Sequence, residues 1–187
     1  MKTFALIAAS LFAVATLASA QVGMSQDKSK RPSPPAGAVC KFSDGMTIKM
    51  DYSSPRAKGR KIFGEESEKA LVPFGKIWRT GANDATTFVT DANLTVGGKP
   101  VPAGSYTIFT VPKADAWSLV ISKKTGEWGT EYDDAKDAKQ DLLRVPMSVS
   151  KTTAPVENFL IAFDQAGSSC TLRMEWENTR ASVEITK

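Results

Sequence analysis

Hydrophobic side chains recur at every second position along most of this chain, and that period commits it to β-strands. Met46, Ile48, Met50 and Tyr52 alternate with Thr47, Lys49 and Asp51. Leu143, Val145, Met147 and Val149 alternate with Arg144, Pro146, Ser148 and Ser150, and Leu172, Met174 and Trp176 with Arg173, Glu175 and Glu177. Successive side chains of a strand point to opposite faces, so each run has one face to bury. Residues 106–111 and 159–163 are apolar on nearly both faces and read as central strands. Gly97-Gly98, set between Leu94-Thr95-Val96 and Lys99-Pro100-Val101, marks a two-residue hairpin, because primed turns need a positive φ that glycine adopts without steric cost. Asn178-Thr179 is read as closing the last hairpin. About eight to ten short strands with close turns favour a sandwich over a barrel. The one helical candidate is 133–142, where Asp133, Lys136, Asp137 and Gln140 share a face. The expected fold is all-β: an antiparallel β-sandwich or jelly-roll-like single domain with at most one short helix.

The N-terminus supplies an address. Lys2, an apolar run over 4–17 and Ala18-Ser19-Ala20 form a signal peptide spanning 1–20, cleaved before Gln21. A spanning helix needs roughly 20 predominantly apolar residues, and this run stops short of that. No cysteine stands at the cleavage point, so no lipid anchor is indicated and the mature chain is expected in the periplasm or secreted. Residues 21–37 carry prolines, serines and few large apolar groups, and read as a flexible linker that cannot offset its own ordering entropy. Residues 38–187 then form a single β-rich domain.

Loss of the leader lowers the net charge from +4 to +3, since Lys2 is its one charged residue. Lysines and arginines are scattered among acids instead of forming a stripe, which excludes nucleic acid as an expected partner. The basic run 28–31 lies in the linker. The run 56–61, which contains Arg60, is either an anion-binding loop or a solvated one.

Cys40 shares strand parity with Phe42, and Cys170 with Leu172, Met174 and Trp176, so both point inward. In an exported chain a disulfide between first and penultimate strands is favoured over two separate buried thiols. No Cys-x-x-Cys occurs, so no redox role follows.

The chain has no histidine. That removes Ser-His-Asp and Cys-His nucleophile activation and nearly every common zinc or copper site. The acidic stretch Glu127, Glu131, Asp133, Asp134, Asp137 and Asp141 lacks the spacing and turn glycine of an EF-hand loop, and reads as a solvated face. No metal and no cofactor are expected. Paired carboxylates remain as the available catalytic chemistry, with Asp84 beside Asp51, Glu127 or Glu131 as candidates, and no catalytic residue is assigned.

The densest chemistry lies at 78–87, Trp78-Arg79-Thr80-Gly81-Ala82-Asn83-Asp84-Ala85-Thr86-Thr87. As a site, Arg79 offers a planar fork for a carboxylate, phosphate or sugar hydroxyl pair. Asn83 and Asp84 orient, and Trp78 supplies a flat face. Trp128 and Tyr132 form a second aromatic cluster that completes one shallow polar pocket. As a structural knot, Arg79 pairs with Asp84 across Gly81, and Asn83 holds a turn through an Asx bond.

Three groups of residues carry a resemblance. They are 51–55 with 59–64, then 71–83, and finally Ala103-Gly104-Ser105-Tyr106, Trp128-Gly129 and Leu143-Arg144-Val145. In combination they resemble domain of unknown function family 2911 (DUF2911), a group of exported bacterial proteins. The resemblance spans about Cys40 to Ile185. It implies an exported β-rich domain with no assigned activity. The functional expectation is a ligand-binding or accessory module of the cell envelope, taking a small molecule or envelope glycan. The alternatives are a carbohydrate or cell-envelope hydrolase using paired carboxylates, and a structural or protein-interaction domain with a protein partner.

Overall fold

The computed structural model describes residues 27–126, 128 and 132–187. The expected signal peptide, positions 21–26 of the linker, and Glu127, Gly129 and Glu131 lie outside the described residues. The strands in chain order are β1 (Pro35–Lys41), β2 (Thr47–Ser53), β3 (Phe63–Gly64), β4 (Val72–Pro73), β5 (Thr86–Thr90) and β6 (Leu94–Val96). They continue with β7 (Lys99–Val101), β8 (Gly104–Pro112), β9 (Trp117–Ser122), β10 (Asp141–Ala166) and β11 (Ser169–Thr186). Nine of them form one sheet in the order β1-β2-β5-β8-β9-β10-β11-β6-β7, antiparallel at every neighbour. β3 and β4 make a small parallel pair. The single described α-helix, α1 (Asp134–Asp137), passes into a 3-10 turn at Ala138–Gln140, and Asp133 caps it by accepting from the Ala135 amide.

β10 turns this sheet into a sandwich. Up to Met147 it pairs with β9, and from Ser148 onward it pairs with β11. The two layers therefore share one strand. Ile48, Met50, Phe88, Ile108, Leu119 and Ile121 from one layer meet Phe159, Ile161, Leu172, Met174 and Trp176 from the other in a single core. The period-two parity of the sequence thus places its apolar faces correctly. Gly97 and Gly98 close the β6–β7 hairpin with φ of 51° and 80°.

Three expectations are corrected. Asn178-Thr179 closes no hairpin: Thr179 pairs with Lys151 inside the β10–β11 ladder, and the turn lies at Gly167, with φ 57°. The polar composition at 178–179 marks an irregularity instead. The ladder shifts register between Lys151 and Val156, and Glu177 takes a φ of 50° there. As a result Cys170 lies on the last strand, and the Cys40–Cys170 disulfide joins β1 to β11, not to a penultimate strand. Residues 159–163 bury one face only, because Phe159 and Ile161 point inward while Leu160 is 36% exposed.

The expected domain start at 38 falls inside β1, which begins at Pro35. Ahead of it, residues 27–34 lie against the domain. The Ser54 amide donates to the Pro34 carbonyl at 2.9 Å, and Asn83 Nδ2 donates to the Ser33 carbonyl at 3.0 Å. On the opposite wall, the bulged stretch of β10 leaves its ladder partner and bonds to a loop. Phe159 donates to Pro55, and Ala57 donates to Glu157, each at 2.8 Å. That exchange anchors the loop 54–60 beside the segment 78–84.

Candidate functional site

The block 78–87 divides by residue. Trp78 exchanges both backbone hydrogen bonds with Thr110 of β8, at 2.8 and 2.9 Å. Thr80, at φ 55°, donates its hydroxyl toward the Trp78 carbonyl and Thr110 Oγ1, and Thr86 Oγ1 donates to the Thr80 carbonyl at 2.7 Å. These three threonines are fully buried. Gly81 is required here, since a Cβ would sit 3.0 Å from both the Ser53 carbonyl and Thr86 Oγ1. The threonines are therefore a structural knot. Arg79, Asn83 and Asp84 project away from it.

A cleft of about 420 Å³ opens beside this knot, in the range of ~300–1,000 Å³ typical of small-molecule sites. Of the expected residues, Arg60, Trp78, Arg79 and Tyr132 line it. Trp78 stacks on Trp176 at 5.8 Å with 17° between planes, and Phe109 meets Tyr132 edge-on at 4.9 Å. Trp176 is fixed from behind, its indole N–H donating to the Glu157 carbonyl at 3.1 Å.

Among the described residues the Arg79 side chain makes one hydrogen bond, Nη1 to the Asn83 carbonyl at 3.5 Å, which is at the limit of the interaction. It meets no carboxylate among the described residues, and burial alone draws its pKa below the ordinary guanidinium value. Arg60 differs: its Nε donates to the Ala57 carbonyl at 3.0 Å and its Nη2 to the Arg56 carbonyl. No acid lines the cleft among the described residues.

Tyr132 is held by its neighbours. Its hydroxyl donates to Asp141 Oδ2 at 2.7 Å and accepts from Arg144 Nη2 at 2.6 Å. Desolvation, helped by the bond to Asp141, pushes its pKa up to about 12, so it stays a phenol at neutral pH. The described acids of the stretch read as a solvated face are individually engaged. Asp134 and Asp141 meet Arg144, Asp133 meets Lys136, and Asp137 meets Lys124.

Trp128, Asn83 and Asp84 form a different assembly. Asp84 pairs with Lys28 at 3.2 Å and Arg31 at 3.0 Å, which replaces the expected Arg79–Asp84 pair. Arg31 lies 5.9 Å from the Trp128 ring centre, and Trp128 is 49% exposed. Asn83, at φ 57°, bonds to Ser33 instead of closing an Asx turn. These residues fasten the segment 27–34 next to the cleft. Of the expected single pocket, the cleft keeps Arg60, Trp78, Arg79 and Tyr132, while Trp128, Asn83 and Asp84 do not line it.

Partial burial pushes the Asp84 carboxyl up, but hydrogen bonds from Lys28 and Arg31 outweigh it and hold the group below the usual carboxylate range. A depressed acid contributes above its unfolded pKa, about 3.9, and loses that contribution as pH falls through the folded value. The attachment of 27–34 is therefore expected to loosen below about pH 4. Trp128 emission should change over that interval in the wild type and show no such transition in Asp84→Asn.

A smaller cleft of about 190 Å³ is lined by Asp51, Asp84, Tyr52 and Lys28. It brings together one of the carboxylate pairs considered for hydrolysis. The depressed Asp84 is the opposite of what a general acid requires.

Sequence reasoning did not assign the other lining residues to a site, among them Ser33, Leu71, Phe109 and Trp176. Ser33 sat in a presumed spacer, and Phe109 and Trp176 carry an ordinary core signal. Leu71, 44% exposed, was legible as an apolar loop residue inside the motif 71–83.

No curated protein and no solved structure matches the chain. The family model described as protein of unknown function (DUF2911) matches residues 33–185, from the serine in the cleft wall to the end of the last strand, and the chain belongs to that family.

Proposed function

We propose that this protein is an exported bacterial β-sandwich that binds a small ligand in the cleft between Trp78, Arg79 and Tyr132, as a binding or accessory module of the cell envelope. One observation carries the reading: Arg79 is partly desolvated yet meets no carboxylate among the described residues. A guanidinium removed from water without a counter-charge is costly. A ligand that supplies the acceptor accounts for that cost, and the aromatic wall supplies contact area. Export is supported by the leader-like N-terminus and by a disulfide of the kind that oxidising compartments maintain.

The interaction-domain reading has its own support. Val39, Lys49 and Val89 align across β1, β2 and β5, with both valines exposed. The lysine between them breaks the apolar surface, which ranks this reading second.

The test is thermal unfolding of residues 21–187 with glycans, peptidoglycan fragments, small carboxylates, phosphates and calcium. A shift that grows with ligand concentration is expected in the wild type and not in Arg79→Ala. Because Arg79 has no strong partner to lose, the variant alone should lie within about 1 kcal/mol of wild type. Arg79→Ala melting far lower, with no compound shifting either protein, would return the guanidinium to a structural role.

A further inference from the structure

We infer that the ligand of this cleft is a small monocarboxylate with an apolar body. The inference rests on the binding reading above and adds the ligand's chemistry.

Charge comes first. The described lining holds two arginines and no acid. The Arg60 fork is already engaged by the Ala57 and Arg56 carbonyls, while the Arg79 fork has only the long contact to Asn83. One open planar fork matches one two-oxygen acceptor, the arrangement in which carboxylates accept two parallel N–H bonds.

Phosphate fits less well. Phosphate sites gather several backbone N–H donors at a helix N-terminus or a nest. Beside Arg79 the amides of Trp78 and Ala82 are committed to the Thr110 and Ser53 carbonyls. A neutral sugar fits less well again. It brings no charge to the guanidinium, and Asn83 and Asp84, the groups suited to orienting its hydroxyls, hold Ser33, Lys28 and Arg31 instead.

Beside the polar Ser33, Arg60 and Tyr132, the cleft also presents apolar side chains. Pro55, Leu71, Ile77, Trp78 and Phe109 line it, and a volume of about 420 Å³ leaves room for several carbons beyond the carboxylate. Burial of each added methylene is expected to tighten binding roughly fourfold until the cleft is full.

Calorimetric titration of residues 21–187 with acetate, butyrate, hexanoate and benzoate tests this, with hexanamide and inorganic phosphate as comparators. The expected result is affinity rising at least about tenfold from acetate to hexanoate, with hexanamide and phosphate weaker than hexanoate. Arg79→Gln should remove hexanoate binding, and Arg79→Lys, which keeps the charge without the fork, should weaken it. The melting temperature of each variant reports that it is folded. Equal affinity for acetate and hexanoate, hexanamide equal to hexanoate, or phosphate tighter than hexanoate would each overturn the assigned class while leaving a binding site. Saturable binding of a neutral glycan with every carboxylate silent would also overturn this inference alone. Silence from all of these probes and from the wider panel would sink the binding reading with it.

Discussion

Replacing Cys40 and Cys170 together by alanine is expected to lower stability by about 5 kcal/mol. The bridge closes a span of 130 positions, and in the chain-entropy model a loop of that size restricts the unfolded chain more than any short one. Both side chains are buried, so alanine introduces no polar group into the core. Total stabilities of single domains are about 5–15 kcal/mol, and a loss of this size moves a large fraction of molecules toward unfolding. Urea titration reads it directly. The midpoint should fall sharply and the slope should steepen, because the unlinked unfolded chain exposes more surface. An unchanged midpoint would show that the bridge adds nothing beyond the Gln165 side-chain bond to the Lys41 carbonyl, which ties β1 to the neighbouring β10.

Trp176→Ala is the second large expected loss, about 3–5 kcal/mol, as for other large aromatics removed from cores. The ring is 1% exposed, stacks on Trp78, and lies within ring-contact distance of Phe63 and Phe159. Its N–H also satisfies the Glu157 carbonyl in the bulged part of β10. Removing it leaves a cavity behind Trp78 and takes one of two donors, the other being the Ala57 amide, from a carbonyl that positions the cleft's loop wall. Stability and ligand binding should therefore fall together. This separates it from Arg79→Ala, for which binding should fall and stability should not. The pair of variants, measured by denaturation and by titration, distinguishes a residue that builds the cleft from one that uses it. Undiminished ligand affinity in Trp176→Ala would show that Trp78 holds its position without the ring beneath it.

The β class and the facing of the strands were legible because parity is a local property. Met50, Tyr52, Leu172 and Met174 each announce a buried face within four or five residues of sequence, and all four are buried. Parity also gave the direction of both cysteines, hence their pairing. The lengths of β10 and β11 were not legible. A bulge and a turn draw on the same small polar residues, so Asn178-Thr179 read as a chain reversal where the structure has a register shift. At the site, the chemistry of Arg60, Trp78, Arg79 and Tyr132 was readable one residue at a time. Their partners were not. Arg79 and Asp84 are close in sequence and opposite in charge, yet the buried Thr80–Thr86 knot turns them apart, and the acid meets cations more than fifty positions away. Ser33 left no trace in composition, because a segment that borrows its order from a neighbouring surface reads like one that has none.

The Cys40–Cys170 bond also fixes how the molecule answers a pull on its two ends. Tension entering at either terminus reaches one of these sulfurs and crosses directly to the other, so the 130 positions of sequence between them carry no load. Most of β11 lies beyond the crossing point and can be unzipped from β10, and the part of β1 that precedes Cys40 can be unzipped from β2. Arg79, the Thr80–Thr86 knot and the walls contributed by 55–132 all lie inside the covalent ring. Stretched between two attachments, the chain would pay out its tails, Ser33 and Trp176 with them, and keep the rest of the cleft lining inside the ring.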